Sequence, residues 1–130
     1  TIHDPSGNKW YMDGAGNIYV TAPNTMTLNS KNMNINVIEN MTSTIGNNIS
    51  TSAGQNINIT AGNDIMESAT GNRTEVANNR TEMVTETVLR QSNNSETFSG
   101  EIQVNTTEGN MTMQGAKEIE WNSGEKSNLF

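Results

Sequence analysis

The sequence has no cysteine, which excludes disulfides and thiolate metal sites. Aromatic residues make up 5% and prolines number 2. Leu, Ile, Val and Phe together count 22 of 130 residues, a share at which a charged chain ordinarily fails to bury enough apolar surface to fold. No apolar run approaches the roughly 20 residues of a membrane-spanning helix, and no signal peptide is read. Positive charge is also scarce. Lys and Arg number 7 against 14 Asp and Glu, a net charge of −7, which disfavours attraction to nucleic acid or to an anionic membrane surface. Thr1 is not an initiator methionine, so the chain is expected to be a piece of something longer.

What the sequence has in abundance is Asn (22) and Thr (17), and the Asn are ordered. Asn24, Asn32, Asn40, Asn48 and Asn56 are followed by Asp64 and Asn72, a step of eight throughout. Met33, Met41, Ile49, Ile57 and Ile65 keep the same step, as do Ala53, Ala61, Ala69 and Ala77, and Gly46, Gly54 and Gly62. Eight is too short for a helical-pair repeat and wrong for a heptad. It suits a strand of about five residues and a turn of about three, stacked many times.

Ahead of this repeat, residues 1–8 are rich in turn formers and are expected to hold no regular element. Lys9–Met12 and Ile18–Thr21 flank "DGAGN" and predict a β-hairpin with a five-residue loop, ended by Pro23. From there the alternation is period two. Met33, Ile35, Val37, Met41, Ile45, Ile49, Ile57, Ile59 and Ile65 share odd parity and define one buried face, with Asn, Thr and Ser on the other. Gly46, Gly54 and Gly62, with Asn32, Asn40, Asn48 and Asn56, are expected to form the corners, the glycines with positive φ and the Asn as the next residues most tolerant of it.

Beyond 72 the step shortens: "NRTE" stands at 72–75 and again at 79–82. Val84, Val88 and Leu89 could form a helical stripe, but the β-branched residues around them favour continued strand. Residues 91–97 are expected as an irregular loop, and alternation returns at Ile102/Val104, Met111/Met113 and Ile119/Trp121. The expected divisions are a lead-in segment and hairpin at 1–23, a regular repeat at 24–72, a less regular continuation at 73–121 and a tail at 122–130.

A single eight-residue ribbon cannot bury its own odd face, and its backbone groups would stay half unpaired. A single-chain coil would need about 20 residues per turn to enclose a core. Eight per side fits several chains winding together, three being the smallest closed prism. The fold class expected is therefore all-β, an intertwined trimeric triple-stranded parallel β-helix preceded by a short hairpin.

The stretch "HDPSGNKWYMDGAGNIYVTAPNTMTLNS" at 3–30 resembles the start of the C-terminal needle of VgrG, the spike protein of the bacterial type VI secretion system. "GNRTE" at 71–75 and "NRTE" at 79–82 are similar to repeats of that needle, and "NSGEKSNLF" at 122–130 to the tail of Bacteroidetes-type members. Central spikes of contractile phages share the architecture. The resemblance implies a homotrimeric needle for membrane puncturing. It would be joined upstream to a spike base and inner tube, topped by a PAAR-type cap and effectors, assembled in the bacterial cytoplasm and injected into the target cell. Ile119, Trp121, Leu129 and Phe130 would then face the tip partner. The sequence departs from the most regular needles after residue 70.

No enzymatic activity, cofactor or metal is expected. His3 is the one histidine, and three copies on an axis could ligate a metal, but it lies among turn formers. "GND" at 62–64 is only a fragment of a calcium-binding repeat. Glu118/Glu120 and Glu82/Glu86 could be drawn as paired carboxylates for glycoside hydrolysis; a solvated face explains them more simply. Trp10 and Trp121 fit packing at the two ends of the repeat, and the eight Met fit core filling. The alternative function is a phage tail-spike type β-helix that binds or degrades surface polysaccharide.

Overall fold

The structure, a computed structural model, describes residues 1–125. It is non-helical among those residues, and its hydrogen-bonded secondary structure is one small antiparallel sheet of β1 (Ile2–His3), β2 (Lys9–Met12) and β3 (Ile18–Thr21), in the order β1-β2-β3. The expected hairpin is present: Met12 pairs with Ile18 and Lys9 with Thr21, leaving a five-residue loop at 13–17. The expectation of no regular element in residues 1–8 is corrected. Ile2 pairs with Trp10 and His3 with Lys9, because the turn formers sit after His3 and fold the chain back rather than disrupt it.

The two connections of the sheet are one device used twice. "DPSGN" at 4–8 and "DGAGN" at 13–17 follow a common D-x-x-G-N pattern nine residues apart. In the first, Asp4 Oδ1 accepts from the Ser6 and Asn8 backbone N–H at 2.9 and 3.2 Å, and Oδ2 accepts from Asn8 Nδ2 at 2.8 Å. In the second, Asp13 Oδ1 accepts from the Ala15 and Asn17 N–H at 2.7 and 3.1 Å, and Oδ2 from Asn17 Nδ2. Each loop is closed by a backbone bond from the Asp N–H to the Asn carbonyl, at 3.2 and 3.3 Å. Each also places its glycine, Gly7 or Gly16, at φ +95°, a conformation that glycine alone adopts freely.

The chain divides into two units, one of residues 1–66 and one that begins at Glu67. After the sheet, the first unit is extended chain with bends at 23–24, 31, 38–39, 46–47, 54–55 and 62–63. The second unit bends at 70–71, 78, 85–86, 93, 100, 107–109, 116–117 and 124–125. From the start of one bend to the start of the next the step is seven to nine residues. The segment 91–97, expected as an irregular loop, carries a single bend at 93 in step with the others. Val84, Val88 and Leu89 lie in extended chain and form no helical stripe; with β-branched neighbours at Thr85 and Thr87, the extended form wins.

The expected corner conformation is also corrected. Gly46, Gly54 and Gly62 stand at bends, and none has positive φ; nor does any described non-glycine residue, the Asn included. A β-carbon built on these three glycines would meet nothing within 4 Å. The corners are gentle bends with ordinary negative φ. Lys31, Ile38, Glu39, Asn78, Thr85 and Asn93 occupy equivalent corners, so no left-handed residue is required there.

No described residue is buried; only Tyr11, Asp13 and Ala22 are half-buried. The chain exposes 14718 Å², about twice the roughly 6,700 Å² of a compact monomer of its mass. Between residues 24 and 122, no backbone–backbone hydrogen bond forms within the chain.

Candidate assembly face

A chain with no interior still sorts its apolar side chains. Met33, Ile35, Val37, Met41, Ile45, Ile49, Ile57, Ile59 and Ile65 are 44–73% exposed, whereas Ile38, Met66, Val76, Met83, Leu89 and Phe98 are 85–95% exposed. The first set has the odd parity of the expected core; most of the second falls on corners or on the opposite face. In the second unit the more sheltered positions are Val84, Val88, Ile102, Val104, Met111, Met113, Ile119 and Trp121. Period-two alternation in extended chain is the cause: every second side chain points the same way. The residue before successive bends is Val37, Ile45, Ala53, Ala61, Ala69, Ala77 and Val84, so the sheltered column holds small or β-branched residues where the chain turns.

The expected corner residues keep their places relative to the bends. Gly46, Gly54 and Gly62 open their bends, and Asn32, Asn40, Asn48 and Asn56 each directly follow one. Between 24 and 66 no side chain makes a hydrogen bond within the chain. The Asn ladder is therefore a row of unused donors and acceptors beside a row of unburied apolar groups.

The second unit contains what the sequence reading missed, an ion-pair ladder. Arg73 pairs with Glu67 at 3.2 Å and Glu75 at 3.1 Å; Arg80 pairs with Glu75 and Glu82, both at 3.0 Å; Arg90 pairs with Glu82 at 3.2 Å. The signal was available in the spacing: Glu67, Glu75 and Glu82 keep the seven-to-eight step, with an Arg set between successive acids. Glu82, drawn above as one of a possible catalytic pair, is thus held between two guanidinium groups. Glu120 accepts from Asn122 Nδ2 at 2.6 Å. These side chains are largely exposed.

The two loop aspartates are held in the charged form. The Ser6 hydroxyl and then the Asn8 amide hold the Asp4 carboxyl down to about 2; the Asn17 side chain and then the Ala15 and Asn17 N–H lower that of Asp13. Both aspartates serve the loops. His3 lies in β1 opposite Lys9, and among the described residues no three His, Asp or Glu side chains group closely enough to hold a metal ion. The "GND" stretch at 62–64 forms a corner. Trp10 is in β2, and Trp121 lies with Ile119 on extended chain before the bend at 124–125. Leu129 and Phe130 lie outside the described residues.

No family model, no curated protein and no solved structure matches the chain.

Proposed function

We propose that the chain is a structural needle, the cell-puncturing spike of a bacterial contractile injection apparatus of the type VI secretion kind. Three copies intertwine as a triple-stranded parallel β-helix, each supplying one side of every layer. The single observation that carries this reading is a chain that sorts its apolar residues to one face and bends every seven to nine residues, yet buries none of its described residues. Such a chain has extended segments, bends and an apolar column, and what would complete it is neighbouring strands to pair with and an interior to fill. Copies of itself supply both: their backbone groups satisfy the unpaired ladder, and their odd faces meet on the axis. At about 1.5–3 kcal/mol for each large apolar side chain buried, three copies of a layer contribute several kcal/mol against the cost of ordering three chains.

The function is mechanical. Hydrogen bonds between different chains distribute an axial load over all three, and a sheath drives the needle through the target envelope. The upstream partners are a spike base and inner tube; the distal end around Ile119 and Trp121 carries a PAAR-type cap or an effector. Assembly takes place in the bacterial cytoplasm, before injection into the target cell. No catalysis is assigned to the chain, and Glu82 is engaged with Arg80 and Arg90.

Sedimentation equilibrium of the full chain tests the reading. A trimer at micromolar concentration is expected, and a monomer overturns it. Deleting residues 122–130 is expected to release the cap or effector while leaving the trimer intact. Depolymerisation of a bacterial surface polysaccharide by the purified chain would favour the tail-spike function instead.

A further inference from the structure

The pairing register divides the N-terminal sheet into two unlike faces. Ile2, Trp10 and Val20 lie side by side across the three strands, and Met12 lies beside Ile18 two residues further along. Cross-strand partners share a face, so these five apolar residues form one face with no polar member. His3, Lys9 and Thr21 form the other with Tyr11 and Tyr19, whose rings stack at 5.9 Å under the Lys9 ammonium, 4.6 Å from the Tyr11 ring centre. The second face is furnished with its own contacts. The first is bare, its residues 43–77% exposed.

We infer that the bare face of this sheet is a second assembly surface, covered by the same face of other copies of the chain, and that it sets the register in which the copies wind. This deepens the needle proposal and rests on it. Three features favour a copy over another occupant. The face carries no charge, and copies of a chain with net charge −7 approach with least repulsion at a neutral surface. Its even-numbered apolar register resumes past the bend at 23–24 at Met26 and Leu28, so a covering copy would already lie along the start of the repeat. The five residues present on the order of 500 Å² of apolar surface, at the upper end of the largest patch on a typical monomer and more than half of the roughly 800 Å² that each partner gives to a stable interface.

Order of assembly follows. The sheet makes its backbone hydrogen bonds within one chain, whereas residues 24–122 make none. The heads can therefore meet preformed, and the strands wind afterwards from a fixed starting point.

Because the chain has no cysteine, one introduced thiol reports one face. Val20→Cys places it on the bare face and Thr21→Cys on the furnished one. Alkylation rates of both full-length variants are measured across a dilution series alongside sedimentation equilibrium. The expected result is equal reactivity in the dilute monomer and at least tenfold slower reaction of Val20→Cys in the trimer. Ile18→Ser is expected to raise the concentration of half-assembly at least tenfold, while Tyr19→Thr leaves it unchanged. A trimer in which both thiols stay equally reactive overturns this inference and leaves the needle standing. A chain that never associates overturns the needle itself. Protection of Val20→Cys in the monomer, or only on adding phosphatidylcholine vesicles, assigns the face to another occupant and also overturns the inference.

Discussion

Gly7 rests against Pro23. A β-carbon built on Gly7 would lie 3.2 Å from Pro23 Cγ, so the loop after β1 touches the residue that ends the region of β3. Two constraints meet at this glycine, its φ of +95° and that close approach. Gly7→Ala is expected to destabilise the sheet by about 1–2 kcal/mol, measured by urea unfolding followed through near-ultraviolet circular dichroism. Gly16→Ala shares the φ but opens onto free space, and should lose less.

The glycines of the repeat behave differently. Gly54 has neither positive φ nor a neighbour within 4 Å of its would-be β-carbon, so Gly54→Ala leaves the isolated chain unstrained. Any loss of assembly in that variant, read by sedimentation, locates another chain in the open space. Gly115 is the counter-case. Its β-carbon would lie 2.5 Å from the Glu118 carbonyl oxygen and 2.9 Å from Ile119 Cγ1, so Gly115→Ala is expected to displace the bend at 116–117 and lower the melting temperature.

The sheet should weaken in acid. Hydrogen bonds hold Asp4 down to about 2 and lower Asp13, against about 3.9 in the unfolded chain. A carboxyl lowered in the folded state contributes its stability fully above the unfolded value and loses it as pH falls through the folded one. The loss should therefore fall between about pH 4 and pH 2. Asp4→Asn should flatten that dependence, measured as urea midpoint against pH.

The sorting of apolar residues predicts a contrast between two positions of the repeat. Ile57 belongs to the sheltered face, and Met66 is 91% exposed. In the assembled needle, Ile57→Ala is expected to cost about 2–5 kcal/mol per copy, whereas Met66→Ala stays within about 0.5 kcal/mol. Thermal melting at fixed chain concentration separates them.

The ion-pair ladder should matter little to stability. Its side chains are 33–74% exposed, where such pairs contribute about 0–1 kcal/mol. Arg80→Gln, which cuts the ladder between Glu75 and Glu82, is expected to cost less than 1 kcal/mol, with the difference shrinking in 1 M salt.

The hairpin was legible because "DGAGN" sits between two short runs with strong strand preference. β1 was not, since two residues before a turn carry no periodicity; the repeated D-x-x-G-N pattern was the signal for it. The step in 24–72 was legible because Met, Ile and Ala mark it. Past residue 72 the same step of bends continues, but Arg and Glu occupy positions that apolar residues mark earlier, so a search by hydrophobicity alone loses it. The corner glycines misled for a different reason. Glycine signals conformational freedom, and these corners use none of it. The sorting of apolar side chains to one face was legible as parity, because alternation along extended chain alone sets which way each side chain points.

The lack of an interior has a consequence for how the molecule exists in a cell. A globular domain carries its stability with it at any dilution. In the proposed needle the core would be shared among copies, so the folded fraction would depend on how many copies are within reach, and the melting point would rise with concentration. Synthesis rate and local crowding of nascent chains then become structural variables, and a solitary copy is an unfinished object that proteases can read as such.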